Sequence, residues 1–305
     1  MQVWRQIDPV GAKNFQGGVI VIGNFDGLHL GHQALLAAAN RHPGPRTVIT
    51  FDPHPVQVLR PDQGLRRLLP REDLEEHLPG YSIDLLLILP FTKAFAQLSP
   101  DDFLTTYLNP FTPRWVVAGY DFAFGRDRQG SLQRMREWAL GLGAEVETLP
   151  ALEKGGAIVS SRRVRELVTQ GLVAEAASLL GRPFYVRGRV IKGAGRGVGL
   201  GFPTLNQEPV NEILPAFGVY ATRTRWRGKS WPSITNIGTN PTFESGQAVK
   251  VETHVLDGDP NLADESLDVD FVQFIRPERK FQSSVDLANQ IRSDILKAKS
   301  ILGVA

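Results

Sequence analysis

The stretch that decides the fold runs from Val19 to His32 and reads Val-Ile-Val-Ile-Gly-Asn-Phe-Asp-Gly-Leu-His-Leu-Gly-His. Its four apolar residues predict a buried strand, and residues 33–39 predict a helix directly after it. Glycines between them let the backbone approach a ligand, while the helix start supplies unpaired N–H groups and a positive dipole. This turn therefore predicts a site that binds an anion. The alternative is a capped turn whose histidines are only solvated, because such a turn has the same short pattern.

Outward from this turn, apolar runs alternate with helical patterns as far as about residue 180. The runs that predict buried strands are 19–22, 48–51, 83–89 and 115–118, and those that predict helices are 101–108, 132–142, 160–168 and 173–180. Such alternation predicts a parallel sheet with helices on both faces. Ligands in such a sheet bind beyond the carboxyl ends of the strands, where three polar clusters fall. These are residues 23–32, 52–55 and 119–125.

The second part of the chain has a different pattern, which begins after Gly181-Arg182-Pro183 interrupts the helices. Short strands of period two are predicted at 184–191, 218–223, 233–237, 249–256 and 267–272. They predict a small antiparallel β-barrel, and the spacing of apolar residues over 284–302 predicts one closing helix. We therefore expect two domains, residues 1–182 and 183–305.

Composition excludes several classes of protein. With 42% hydrophobic and 22% charged residues, the chain of 305 residues is typical of a globular protein rather than of a disordered one or a coiled coil. Lys+Arg of 34 against Asp+Glu of 32 gives a net charge of +2, so nucleic acid is not expected as a partner. The absence of cysteine excludes disulfides and thiolate chemistry. No signal-like start or membrane-spanning apolar run is evident, which predicts a cytoplasmic protein with no membrane partner. The oligomeric state is left open.

A second glycine-rich stretch lies within the barrel sequence. Residues 193–201 hold five glycines in nine positions, enough for a backbone cradle around phosphates: Gly193, Gly195, Gly197, Gly199 and Gly201. Thr204 and Asn206 follow and offer hard oxygen donors that suit Mg²⁺. Glycine-rich loops often only connect strands, so this stretch alone is weak evidence for a phosphate site.

The full motifs resemble one family. The ten residues 23–32 resemble the signature of nucleotidyltransferases that move AMP from ATP to a phosphate-bearing acceptor, in particular the adenylyltransferase half of prokaryotic bifunctional riboflavin kinase/FAD synthetases. Residues 200–206, 236–243 and 251–254 resemble riboflavin kinase motifs. The resemblance covers about Gly17 to Leu296 and implies a Rossmann-like first domain followed by a riboflavin kinase barrel.

The resemblance also implies roles for individual residues. In the first domain His29 and His32 would stabilise phosphates, and Gly23, Asn24, Phe25, Asp26 and Gly31 would form the ATP pocket. Asp52 and Asp121 are candidate flavin or nucleotide contacts, although aspartates in turns are also common for backbone reasons. In the second domain Thr204 and Asn206 would hold Mg-ATP, and the segment containing Arg276 and Glu278 resembles the one that covers the flavin.

A second phosphate-binding tract of the family usually reads Ser-Ser-Thr/Ser-x-Ile-Arg. Here Ser161 is followed by Arg162, and Arg165 occupies the position of the family's phosphate-binding arginine. The guanidinium of Arg162 either replaces a hydroxyl as a phosphate donor or points to solvent. A basic solvated helix face is the alternative for this tract.

Glu252 would be the catalytic base of the kinase. A primary alcohol is a poor nucleophile and benefits from a carboxylate that accepts its proton. On a strand, Glu252 and His254 share one face while Val251 and Thr253 share the other. A glutamate on the outer face of a strand is otherwise usually solvated.

The resemblance implies a bifunctional transferase. It would phosphorylate riboflavin to FMN and then adenylylate FMN to FAD, with one Mg-ATP for each step and with riboflavin, FMN and ATP as its small-molecule partners. Two alternatives stay open: a riboflavin kinase with impaired adenylylation, and a non-enzymatic flavin-binding regulator.

Overall fold

In the computed structural model the described residues are all but Arg71, 194–198, Leu200, 240–248, Asp257, 259–261, 263–264 and Ala305. The chain forms two compact units, residues 1–160 and 161–305. Within the described residues, no helix is long and apolar enough to cross a membrane.

The first unit is built on a parallel sheet of six strands. They are β1 (Gln2–Trp4), β2 (Val19–Ile22), β3 (Arg46–Asp52), β4 (Leu85–Pro90), β5 (Trp115–Gly119) and β6 (Glu145–Leu149). The strand order is β1-β4-β3-β2-β5-β6, and every pairing is parallel. The parallel sheet is confirmed, whereas β1 and β6 were not predicted because these two edge strands lack a continuous apolar run. A hairpin of β7 (Glu153–Lys154) and β8 (Ala157–Ile158) ends the unit.

The helices of the first unit lie between these strands. They are α1 (Leu30–Ala39), α2 (Pro55–Leu59), α3 (Asp73–His77), α4 (Pro100–Phe103) and α5 (Leu132–Gly141), with short 3₁₀ turns at Gly11–Phe15, Pro61–Gln63, Leu78–Tyr81, Phe95–Gln97, Asn109–Phe111 and Arg126–Arg128. The helix predicted over 101–108 is α-helical only to Phe103 and continues as a π-helix over Leu104–Leu108. The π-helix ends at Leu108, two residues before Pro110, which cannot donate a backbone hydrogen bond.

Both faces of the sheet are buried, which fixes the layering. Ile20, Ile49 and Leu87 pack in one core cluster with Phe103 and Met135. Their strand neighbours point to the other face and are equally buried, and α1 packs against β2 and β5. The strands therefore read as continuous apolar runs rather than as an alternating pattern.

The second unit contains two helices followed by a closed antiparallel barrel. Helices α6 (Ser161–Thr169) and α7 (Val173–Leu180) pack on each other, and α7 packs against two barrel strands. The barrel strands are β9 (Phe184–Ile191), β10 (Leu205–Pro209), β11 (Gly218–Trp226), β12 (Lys229–Thr239), β13 (Val249–Val255) and β14 (Ser266–Arg276), in the closed order β10-β13-β12-β11-β14-β9. The predicted barrel is confirmed. Strand β10 was not predicted, because its residues were interpreted only as metal donors.

The interior of the barrel is partly polar. Five fully buried hydroxyls form a continuous chain of hydrogen bonds of 2.8–2.9 Å across β11, β12 and β13: Thr224, Ser233, Thr222, Thr235 and Thr253. Because every hydroxyl has a partner, these strands can bury polar residues at low cost. Helix α8 (Ser284–Leu302) closes the unit and packs Ala298 and Leu302 on outward-facing Val219, Ala221 and Ile234.

Candidate active sites

The first site lies at the carboxyl end of β2. This strand sits between β3 and β5, and the chain builds the sheet outward on one side of β2 before it returns to the other. Ligands in open α/β sheets bind at such a switch point. Strand order therefore brings the three predicted polar clusters to neighbouring strand ends.

The turn after β2 is held in an unusual backbone conformation. Phe25 and Leu28 have φ angles of 50° and 44°, which L residues rarely adopt, and both side chains are buried. The Phe25 ring packs against the ring of His32 at 5.3 Å and against the backbone of Gly23. Asn24 is fixed through its carbonyl, which accepts a hydrogen bond of 3.2 Å from the Thr50 hydroxyl. Strain of this kind is typical of functional turns.

The two histidines form one unit. His29 caps the N-terminus of α1, and its Nδ1 accepts a hydrogen bond of 3.3 Å from the backbone N–H of His32. In the neutral ring the proton then lies on Nε2 of His29, which becomes a hydrogen-bond donor. Burial and the neighbouring His29 hold the pKa of His32 well below its ordinary value, so His32 is neutral at pH 7. Its Nδ1 is buried and has no hydrogen-bond partner among the described residues.

Asp26 and Asp52 hold residues 67–68, a segment that the sequence patterns did not predict to lie at this site. The buried carboxylate of Asp26 accepts a hydrogen bond of 2.9 Å from the backbone N–H of Leu68. The carboxylate of Asp52 pairs with Arg67 at 3.0 Å. The two aspartates thus fix residues 67–68 beside the strand ends, and only a long-range contact reveals this role.

Asp121 follows β5 and is exposed, and its backbone carbonyl accepts a hydrogen bond of 3.0 Å from Arg128. The tract of Ser161, Arg162 and Arg165 lies on α6 in the second unit. The side chain of Arg162 is 88% exposed and pairs with Glu166 at 2.9 Å, one helical turn away. The guanidinium of Arg162 therefore lies at the surface, next to a carboxylate.

The second site lies on the outer face of the barrel. Glu252 on β13 stands directly opposite Asn206 on β10 and opposite Asn236 on β12. Val251 and Thr253 point inward and are buried, as the period-two pattern predicts. Side chains that face each other across antiparallel strands lie about 4.5–5.5 Å apart at Cβ, so the carboxylate stands between two amides. We call Asn206, Glu252 and Asn236 the catalytic row, after the base predicted at Glu252.

Gly193, the first glycine of the second glycine-rich stretch, lies against this row. A Cβ on Gly193 would overlap the side-chain amide of Asn206, so only glycine leaves room there. Nδ1 of His254 donates a hydrogen bond of 2.7 Å to the carbonyl of Pro203, which fixes the backbone next to Thr204. Gly199 and Gly201 are exposed, while Gly195 and Gly197 lie outside the described residues. Thr204 and Asn206 offer a hydroxyl and an amide oxygen beside a carboxylate, a donor set of the hard oxygens that Mg²⁺ prefers.

The two residues of the predicted flavin segment have different surroundings. The Arg276 guanidinium is engaged by Asp294 of α8 at 2.8 Å, and the carboxyl of Asp294 is buried. Glu278 is exposed and accepts a hydrogen bond of 3.3 Å from the Asn236 amide, next to the catalytic row.

Comparisons with known proteins agree with this division into two sites. A family model described as FAD synthetase matches residues 12–163, and one described as riboflavin kinase matches residues 180–302. A curated bifunctional riboflavin kinase/FMN adenylyltransferase from Listeria monocytogenes is 36% identical over 283 residues, which are 90% of this chain and 90% of that protein. A protein of the same name from Escherichia coli K12 is 32% identical over 310 residues and covers 100% of this chain and 99% of its own length.

A solved structure has the same architecture throughout. It is described as a macrolide-efflux protein from Streptococcus pneumoniae, is 29% identical, and superposes with a TM-score of 0.89 over 98% of this chain and 99% of its own. The two family models and the full-length relatives all indicate the same family. The chain belongs to the family of bifunctional riboflavin kinase/FMN adenylyltransferases.

Proposed function

We propose that the chain phosphorylates riboflavin to FMN on the barrel and adenylylates FMN to FAD on the α/β unit, with ATP as the donor in both steps. The observation that carries this proposal is the difference between the two sites. The barrel presents a carboxylate between two amides, whereas the strand-end turn presents a histidine N–H donor at a helix N-terminus. The first arrangement suits deprotonation of an alcohol, and the second suits stabilisation of phosphate charge.

In the kinase step Glu252 accepts the proton of the primary hydroxyl of riboflavin. The oxygen forms its bond to the γ-phosphorus of ATP while the bond to the bridging oxygen of ADP breaks. Thr204 and Asn206 would hold the Mg²⁺ that accompanies ATP, and such an ion would neutralise charge on the phosphate oxygens. Gly193 and the glycines that follow it leave the backbone free to approach the phosphates.

The adenylylation step needs no strong base. The phosphate of FMN has a second pKa of about 6 and is already mostly dianionic at neutral pH. Its oxygen forms a bond to the α-phosphorus of ATP, and pyrophosphate leaves. His29 donates from Nε2 to the phosphate oxygens, while neutral His32 holds the His29 ring in place. The N-terminus of α1 adds its positive dipole.

The remaining residue roles are part of the same proposal. Gly23, Asn24, Phe25, Asp26 and Gly31 shape the ATP pocket, Ser161, Arg162 and Arg165 serve phosphate binding, and Asp52, Asp121, Arg276 and Glu278 serve flavin binding. We further propose a functional boundary at Arg182, with adenylyltransferase residues in 1–182 and kinase residues in 183–305.

A time course tests the proposal. The chain is incubated with riboflavin, ATP and Mg²⁺, and flavins are separated by chromatography. FMN should appear first and FAD later, with ADP and pyrophosphate formed in step with them. FMN without any FAD would favour a kinase with lost adenylylation, and flavin binding without ATP turnover would favour a non-enzymatic regulator.

A further inference from the structure

The segment between β14 and α8 is fixed to the helix at two points. We call residues 276–281 the strap. At its start, Arg276 donates to the buried carboxylate of Asp294 at 2.8 Å. Further along, Arg279 donates to the side chain of Gln290, which in turn donates to Asp294 at 2.6 Å. Arg276 and Arg279 therefore both attach the strap to α8.

Between these two attachments, Glu278 reaches back to β12. Its Oε1 accepts a hydrogen bond of 3.3 Å from Nδ2 of Asn236. A Cβ on Gly238 would overlap the same carboxyl group. Asn236 and Gly238 are successive outward-facing positions of one strand, so the carboxylate covers both. Glycine at position 238 is what leaves room for it.

The amide that Glu278 holds belongs to the catalytic row. Asn236 stands directly opposite Glu252, and Asn206 stands opposite Glu252 on its other side. A free asparagine side chain can present either its oxygen or its NH₂ group to a neighbour. Because Nδ2 is bound to Glu278, Oδ1 is the atom left to accept a hydrogen bond from a substrate hydroxyl.

We propose that Glu278 is a positioning residue of the kinase reaction, which orients the Asn236 amide beside Glu252 so that Oδ1 accepts from the hydroxyl-bearing chain of riboflavin. The inference rests on the proposed kinase function and assigns Glu278 an action through Asn236. If Glu278 only kept the strap soluble or in place, its effect on the reaction would not depend on Asn236.

The test measures FMN formation at saturating and limiting riboflavin in Glu278→Ala, Glu278→Gln, Asn236→Ala and the double Ala variant. The loss of one positioning hydrogen bond should lower kcat for Glu278→Ala by roughly five- to tenfold with the KM for ATP unchanged. Glu278→Gln keeps an oxygen acceptor for Nδ2 and should retain kcat within about twofold. The double variant should be no slower than Asn236→Ala alone, because the two residues act as one.

Glu208→Ala is the matched control, since Glu208 is an exposed glutamate outside the catalytic row on β10. Full kcat in Glu278→Ala, or strictly additive losses in the double variant, would overturn the inference. If Glu278→Ala does not fold, Gly238→Ala displaces the same carboxylate and should give the same fall in kcat. Absence of FMN formation in the unaltered protein would instead refute the kinase function itself.

Discussion

The rings of His29 and His32 lie stacked, with centroids 3.7 Å apart and planes inclined by 16°. The ring of His29 caps the helix and the ring of His32 stacks on it, so each ring restricts rotation of the other. In the proposed adenylylation, a phosphate at the helix N-terminus would meet a donor that is already oriented, and preorganised donors of this kind stabilise developing charge.

Gly31→Ala should impair FAD formation while leaving FMN formation unchanged. A Cβ at position 31 would lie 3.1 Å from the His29 ring and would push it from its place. Misplacement by about 1 Å can lower a rate by up to about 10²-fold, so a smaller displacement of the ring should lower FAD formation from supplied FMN by roughly three- to tenfold. The matched control is Gly141→Ala, in a helix of the same unit where a Cβ meets open space. An unchanged rate in Gly31→Ala would show that the position of His29 is not critical.

The free energy of unfolding should decrease as the pH falls below 6.5. Above that value His32 is neutral in the folded and unfolded chain and contributes no difference. Below it the unfolded chain binds a proton, which the folded chain resists because its pKa is lowered. Stability is therefore lost as the pH falls from about 6.5 towards the lowered folded pKa, by at most about 1.4 kcal/mol per pH unit from this residue.

His32→Phe keeps a ring but cannot bind a proton. Chemical denaturation of both proteins between pH 5 and pH 8 should show that the variant lacks this part of the pH dependence. Parallel profiles for the two proteins would mean that His32 does not resist protonation.

Glu252→Ala should abolish FMN formation and leave FAD synthesis from supplied FMN intact. Removal of a general base typically lowers a rate by about 10²- to 10⁴-fold. The adenylylation assay on the same preparation is the internal control for folding. Equal loss of both activities would contradict two separate sites.

Gly171→Ala should destabilise the second unit. Gly171 joins α6 to α7 with a φ of +79°, and a Cβ there would lie 2.9 Å from the Tyr220 hydroxyl. That hydroxyl is held by the carbonyl of Ala216 at 2.5 Å and cannot easily withdraw. We expect a loss of about 1–3 kcal/mol in the free energy of unfolding, measured by chemical denaturation.

Gly228→Ala separates the two causes of this loss. Gly228 has a φ of +74°, but a Cβ there meets nothing within 4 Å. It should therefore show only the cost of the left-handed backbone, and less destabilisation than Gly171→Ala. Equal losses in the two variants would show that the contact with Tyr220 adds nothing.

The sequence by itself determined the four inner strands of the sheet, five of the six barrel strands and the closing helix, because apolar periodicity and glycine-rich turns act over a few residues. It also determined that Glu252 points away from Val251 and Thr253, since alternation along a strand is local. The motifs at residues 23–32 and 200–206 further indicated the family and its two reactions, adenylyl transfer and riboflavin phosphorylation.

Tertiary structure alone decided which side chains meet. The register of β10, β12 and β13 places Glu252 between Asn206 and Asn236, and barrel closure brings together strands far apart in the chain. Asp26, predicted at the ATP pocket, is fixed by the backbone of Leu68, 42 residues away. Such contacts depend on packing and hydrogen bonding between distant segments, whose relative positions no local pattern of residues encodes.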